Sequence, residues 1–188
     1  GEGEASEGRR RGGGGRRGGG GRGDDGQGRW QFGLYHSIEF ENTALIAAGV
    51  PLLDFLDGDA SGQSGGISRH RVELEGGLFY QGIGARLSGN YQSGTRIDGN
   101  PATGSGDLIF GDLVTFDLRM FVNLEEQEWL VGEQPGFFKG ARMSLRVGNL
   151  FDTRQEVTDG NGVVPIRFQP ALIDPLGRTF EIEFRKLF

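Results

Sequence analysis

From Trp30 onward the apolar residues return at every second position. In WQFGLYHSIEF, Trp30, Phe32, Leu34, Ile38 and Phe40 fall on one side, and Gln31, Tyr35, Ser37 and Glu39 on the other. Successive side chains point to opposite faces only in an extended chain, so the spacing predicts a β-strand with one apolar and one polar face. At about eleven residues it is longer than the usual strand of about five or six.

The same period recurs downstream. RHRVELEGGLFYQGIGARLSGNYQ divides at Gln81-Gly82 into a hairpin. Its first strand sets Val72, Leu74, Leu78 and Tyr80 against Arg71, Glu73 and Glu75. The second sets Ile83, Ala85, Leu87 and Tyr91 against Arg86, Ser88, Asn90 and Gln92. LVTFDLRMFVN places Val114, Phe116, Leu118, Met120 and Val122 opposite Thr115, Asp117, Arg119 and Asn123. ARMSLRVGNLF does the same with Ala141, Met143, Leu145 and Val147 against Arg142, Ser144 and Arg146. In the last segment, GRTFEIEFRKLF, Phe180, Ile182, Phe184 and Phe188 share a face that only Lys186 interrupts, with Thr179, Glu181, Glu183 and Arg185 opposite. The expected architecture is all-β, about six antiparallel strands and no helix.

Between these strands lie Gly-, Asp-, Ser- and Pro-rich stretches that read as loops. The chain has 37 Gly and only 35% hydrophobic residues, which suits many turns and leaves little material for a dry core. Residues 1–28 combine Gly, Arg and acids with no apolar anchor and read as a flexible connector. An Arg/Gly arm that binds RNA is the sharper alternative for them; acids flank the basic run and aromatic residues are missing, so no nucleic acid is expected as a partner. The formal net charge of -6 points the same way.

Enzymatic chemistry finds little support. There is no cysteine, and His36 and His70 are the only histidines, so thiolate and multi-histidine metal centres are not expected. The segments DGD at Asp57–Asp59 and GNG at Gly160–Gly162, within TDGNGVV, lack the spaced carboxylates of a calcium loop and read as turns. Glu73 and Glu75, with Arg71 and Arg86 nearby, read as a ladder of opposite charges rather than an acid pair. Neither an enzyme nor a cofactor is expected, and His70 reads as a strand-entry residue.

Alternation alone suits a soluble sandwich as well as a membrane barrel. Strand length favours the barrel, since about ten residues cross a bilayer at a tilt. Aromatic placement agrees: Trp30, Tyr80, Tyr91, Phe180 and Phe188 lie toward strand ends, where an interfacial girdle forms. No apolar run approaches the ~20 residues of a membrane helix. The chain begins with Gly and is read as a carboxy-terminal fragment or processed product, so the lack of an export signal at its start carries no weight.

Two motifs sharpen the expectation. Asn149-Leu150-Phe151-Asp152 leaves the penultimate strand, and Pro175-Leu176-Gly177-Arg178-Thr179-Phe180 opens the last one. Together, in this order and with a terminal Phe188, they resemble the carboxy-terminal end of TonB-dependent outer-membrane receptors. The resemblance is specific over residues 148–188 and only one of style over 29–147.

It implies the final strands of a large transmembrane β-barrel in a bacterial outer membrane, preceded by the flexible Gly/Arg-rich segment. It implies a transporter for a scarce large nutrient, such as a ferric siderophore, cobalamin or an oligosaccharide. Energy would come from the periplasmic TonB protein through a plug domain and TonB box, neither of which is visible in these residues. Gly177, Phe180, Ile182, Phe184 and Phe188 would form the closing strand and the signal read by the barrel-assembly machinery. With Phe188 periplasmic, residues 41–69, 94–111 and 150–177 would face outside, and 1–28, 81–82 and 124–139 the periplasm. Arg71, Glu73, Arg86, Asn90, Asp117 and Arg119 would line the lumen. About 22 strands make such a barrel, so the chain would supply roughly its last quarter. A non-transporting outer-membrane barrel and a soluble RNA-binding β-protein are the alternatives.

Overall fold

The computed structural model describes residues 28–59, 65–100, 104–132, 136–174 and 176–187. The connector expected at 1–28, Gly28 apart, lies outside the described residues, as do Pro175 and Phe188. The chain forms the strands β1 (Arg29–Ile38), β2 (Thr43–Ala44), β3 (Leu53–Asp54), β4 (His70–Tyr80), β5 (Ile83–Gln92), β6 (Thr95–Ile97), β7 (Leu108–Phe110), β8 (Leu113–Asn123), β9 (Ala141–Gly148), β10 (Val157–Asp159) and β11 (Thr179–Lys186). Single helical turns, α1 (Glu128–Val131) and α2 (Pro170–Ile173), stand where only loops were expected.

All long strands join one six-stranded sheet in the order β1-β4-β5-β8-β9-β11. Every neighbouring pair is antiparallel and consecutive among the long strands, an up-and-down meander. The sheet is open. β1 and β11 lie at its opposite edges, and the described residues form no closed barrel.

Register sorts the side chains by chemistry. Trp30, Leu78 and Ala85 follow one another across β1, β4 and β5, and Leu87, Leu118, Val147 and Phe180 across β5, β8, β9 and β11. Met120, Leu145 and Ile182 form the adjacent row. A slip of one residue in any strand would push charge into this face, so the apolar pattern fixes the pairing. Phe151 packs on Phe116 at one end of it and Val147 is buried among its neighbours, while toward both edges the face is open. Trp30 is 82% exposed, Phe32 66%, Ile182 72% and Phe184 53%. Phe40, placed in β1 by the sequence pattern, lies past the strand end, and β9 stops at Gly148, before the expected Phe151.

The turn at Gln81-Gly82 is as tight as the sequence predicts. Gln81 (φ 44°) and Gly82 (φ 75°) are both left-handed, the geometry that matches the twist of an antiparallel hairpin. Asn123 N donates to Gly82 O (2.8 Å) and Gln127 Nε2 to Gln81 O (2.9 Å), so the turn is tied to the end of β8.

At the opposite end the glycine-rich stretches are more ordered than loops. β10, β7 and β6 form a three-stranded sheet, and β2 pairs with β3. Phe110, Val157 and Phe168 are buried together, with Ile97 and Leu108 packed on them. The Phe110 and Phe168 rings meet edge to face at 5.6 Å. Each such burial contributes about 1.5–3 kcal/mol, which holds the 94–111 and 150–177 loops in one cap over that end of the sheet.

Two glycines in the sheet make a direct test of packing. A Cβ at Gly84 would run into the Phe121 ring, while one at Gly76 meets only the Leu87 carbonyl, at 4.0 Å. Phe121 is held between Phe79 (6.0 Å between centroids) and the Arg142 guanidinium (3.7 Å), and has little room to yield. Gly84→Val is expected to lower stability by about 1–3 kcal/mol through overpacking. Gly76→Ala is expected to leave the denaturant midpoint unchanged or raise it; equal midpoints for the two variants would show that Phe121 moves aside.

Candidate functional site

The polar face and the junction before the last strand carry the sequence-predicted site residues. Both follow from the register. Odd-numbered positions of β1 and β4 face the side opposite the apolar rows, as do even-numbered positions of β5 and β9 and odd-numbered positions of β8 and β11.

On that face the predicted residues fall into two groups. Arg71, Glu73 and Asn90, with Thr115, border a hollow of about 170 Å³ toward the loop cap. Arg86 and Arg119 stand opposite each other in β5 and β8, nearer the hairpin end. The expected ladder of opposite charges does not form. Glu73 pairs in register with Asn90 and Glu75 with Ser88, while Arg86 faces Gly77 on one side and Arg119 on the other. Arg119 in turn faces Arg146, so like charges stand side by side. Parity alone placed Arg142 and Arg146 on this face; only the register reveals that Arg146 adjoins Arg119 and that Arg142 stands beside Asn123. Arg29, Phe79 and Phe121 were also missed, and they complete a recess of about 580 Å³ with Arg86, Arg119 and Arg142.

Asp117 stands on the same face and also makes a structural contact. Its Oδ1 accepts a hydrogen bond from Asn149 N at 2.9 Å, so it anchors the exit from β9. The remaining motif residues build on this anchor. Asn149 is left-handed (φ 49°), a conformation asparagine tolerates better than most residues. Its side chain bridges the turn, Nδ2 donating to Thr153 O (2.7 Å) and Oδ1 accepting from Thr153 N (2.9 Å). Leu150 N donates to Phe116 O at 2.6 Å, and the Phe151 ring meets Phe116 edge to face at 5.5 Å.

Asp152, also left-handed (φ 56°), reaches across to the start of β11. Its Oδ1 accepts from Arg178 N (3.0 Å) and lies 3.6 Å from Arg154 Nη2. Gly177 sits inside this cluster at φ 55°, where a Cβ would overlap Asp152 and come within 2.7 Å of Arg154 Nη2. Asn149, Asp152, Gly177 and Arg178 therefore form one clip that sets β11 against β9. Phe180, Ile182 and Phe184 follow on the apolar face, opposite Val147, Leu145 and Met143.

Elsewhere the turn readings hold. Asp159 Oδ1 accepts from Asn161 N and Val163 N at 2.9 Å, and Asp59 Oδ2 accepts from Asp54 N at 2.8 Å. Both are carboxylates satisfying local backbone. Arg96 stands at 2.7 Å from Asp98, which holds its guanidinium pKa above the ordinary value by hydrogen bonding and then by charge. His70 opens β4 and its ring approaches that of His36 across the strands (3.3 Å between nitrogens). Among the described residues, no group of three or more His, Asp or Glu side chains is arranged to hold a metal ion.

The clip predicts a graded response. Asn149→Ala removes two side-chain hydrogen bonds and is expected to cost about 2 kcal/mol of stability. Gly177→Ala adds a clash and a strained φ, and is expected to cost at least about as much and to open the β9–β11 junction to protease. Unchanged denaturant midpoints and digestion patterns would show that the junction is not tied down there.

No family model matches the chain, and neither does any curated protein or solved structure.

Proposed function

We propose that the chain forms the closing wall of an outer-membrane transport barrel of the TonB-dependent receptor type. The observation that carries this reading is the six-stranded antiparallel meander whose large apolar face is left mostly exposed by the described chain, from Trp30 and Phe32 to Ile182 and Phe184. In water a contiguous apolar patch of this kind invites association, whereas lipid is a solvent that suits it. The backbone argument points the same way, since each strand pairs with its neighbours and only the two outer edges await partners.

The margins of the apolar face support the reading. Trp30 and Tyr80 lie near the hairpin end of the sheet and Tyr91 near the other. Lys186, the charged residue on this face in β11, places its ammonium 3.9 Å from the centre of the Phe137 ring. Aromatic residues and a snorkelling lysine at such margins fit the headgroup layers on either side of a bilayer. The clip of Asn149, Asp152, Gly177 and Arg178 gives the two resembling motifs a common structural task.

Under this reading the polar face lines a wet lumen, the loop cap around Phe110 and Phe168 faces outside, and further strands from the same protein complete the barrel. Uptake of a scarce large nutrient, driven by TonB through a plug, follows from the resemblance. The last strand is then the segment engaged by the barrel-assembly machinery, whose strand-addition chemistry an open edge such as that of β11 suits.

A charge placed on each face tests the assignment. Ile182→Arg puts a cation midway along β11 on the apolar face and is expected to cost about 2–4 kcal/mol, enough to deplete the heat-modifiable band from the outer-membrane fraction. Thr115→Arg, on the polar face, is expected to accumulate normally. If both variants reach the membrane alike, or the parent protein is recovered from the aqueous fraction, the reading fails.

A further inference from the structure

Charge is unevenly spread along the polar face. Glu73, Glu75 and Asp117 lie toward the loop cap with Arg71, while Arg86, Arg119, Arg142 and Arg146 lie toward the hairpin end, with Glu181 and Glu183 beside them on β11. Arg86, Arg119 and Arg146 are Cα partners in successive strands. Like charges directly opposite one another weaken strand pairing, so the sheet bears a cost for this row.

Acids of the chain do little to relieve it. Glu183 is shared between Arg185 (3.1 Å), Arg119 (3.6 Å) and the Ser144 hydroxyl (3.1 Å). Among the described residues, Arg29, Arg86, Arg142 and Arg146 form no ion pair with a carboxylate. Glu181 faces Arg146 in register without closing on it.

The row also borders a cavity. Gly77 and Gly84 carry no side chain where Gln31 and the Phe121 ring lie, and the Phe79 and Phe121 rings, 6.0 Å apart and stacked, provide an apolar floor. Arg29, Arg86, Arg119 and Arg142 surround the resulting recess of about 580 Å³. That volume suits a small organic ligand. Guanidinium groups form forks of donors that match carboxylate and phosphate oxygens in pairs.

We propose that this recess binds a small polyanion, a molecule bearing two or more phosphate or carboxylate groups, which bridges the arginines that the sheet leaves facing one another. The inference rests on the lumen-wall reading for its biological meaning, since it assigns an anionic substrate class to that wall. The carboxylates near the loop cap repel such a ligand, which confines it to the basic half. An apolar part of the ligand would lie on the Phe79–Phe121 floor.

The test uses the full protein in detergent micelles, titrated with pyrophosphate and with citrate as probes and with sucrose as the uncharged control. Saturable binding of at least one anion is expected, weakened by about tenfold or more in the combined Arg86→Gln, Arg119→Gln variant. Arg71→Gln, at the other end of the face, is expected to bind as the parent does. Arg86→Lys keeps the charge and loses the fork, and should fall between. A second readout separates binding from scaffolding: without anion, the double variant should be at least as stable as the parent, because a repulsion is removed.

Absence of saturable anion binding in folded parent protein, or equal affinity in the double variant, would overturn the proposal. So would a lower anion-free stability of that variant, which would mark these arginines as structural. Heat modifiability and membrane fractionation on the same preparations report on the barrel separately. Arginine-dependent binding by a protein that is not a membrane barrel would keep the site and remove the lumen.

Discussion

Register is the constraint on which the rest of this structure depends. Because side chains alternate with period two, pairing Leu118 with Leu87 on one side and Val147 on the other simultaneously aligns the apolar residues of the central strands on one face, Phe79 and Phe121 excepted. The same pairing sets the arginines of β5, β8 and β9 in a row on the other face. One choice of hydrogen-bond partners thus creates both surfaces, and neither can be changed without disturbing the other.

The sheet is supported at its ends rather than by a core across its face. At one end, the left-handed Gln81-Gly82 turn is pinned by Asn123 and Gln127. At the other, Phe110, Val157 and Phe168 gather two loops into a small dry cluster, while the clip around Asp152 fixes where β11 begins. This arrangement leaves both faces of the sheet free for contacts, an apolar solvent on one side and polar ligands on the other. The expense falls on the edges, where β1 and β11 present unpaired backbone.

The long strands were legible because alternation is a local signal, read from neighbouring residues without knowledge of the partner. The hairpin was legible for a similar reason, since Gln81-Gly82 interrupts an apolar period with a residue that accepts positive φ. β6, β7 and β10 were not, because strands of three residues carry no measurable period and exist through pairing with distant segments. The Asn149 and Gly177 motifs drew attention in sequence, but their chemistry did not. That Asp117 anchors Asn149, or that Asp152 spans to Arg178, depends on contacts 32 and 26 residues apart. The arginine row shows the same limit: parity gives the face of each residue, and only register gives its neighbour.

The central claim is that the apolar face meets lipid and the polar face meets water, and β11 is the strand on which this is most directly measured. Spin labels placed one at a time at residues 179–186 of the full protein in bilayers report collision with oxygen, which concentrates in lipid, and with a water-soluble nickel complex. The account predicts that the two accessibilities alternate with period two and in opposite phase, with Phe180, Ile182 and Phe184 on the oxygen side and Glu181 and Glu183 on the nickel side. Accessibilities that rise and fall together, or an even positions' set shielded from both reagents, would mean that protein covers the face and that the sheet is not the wall of a membrane barrel.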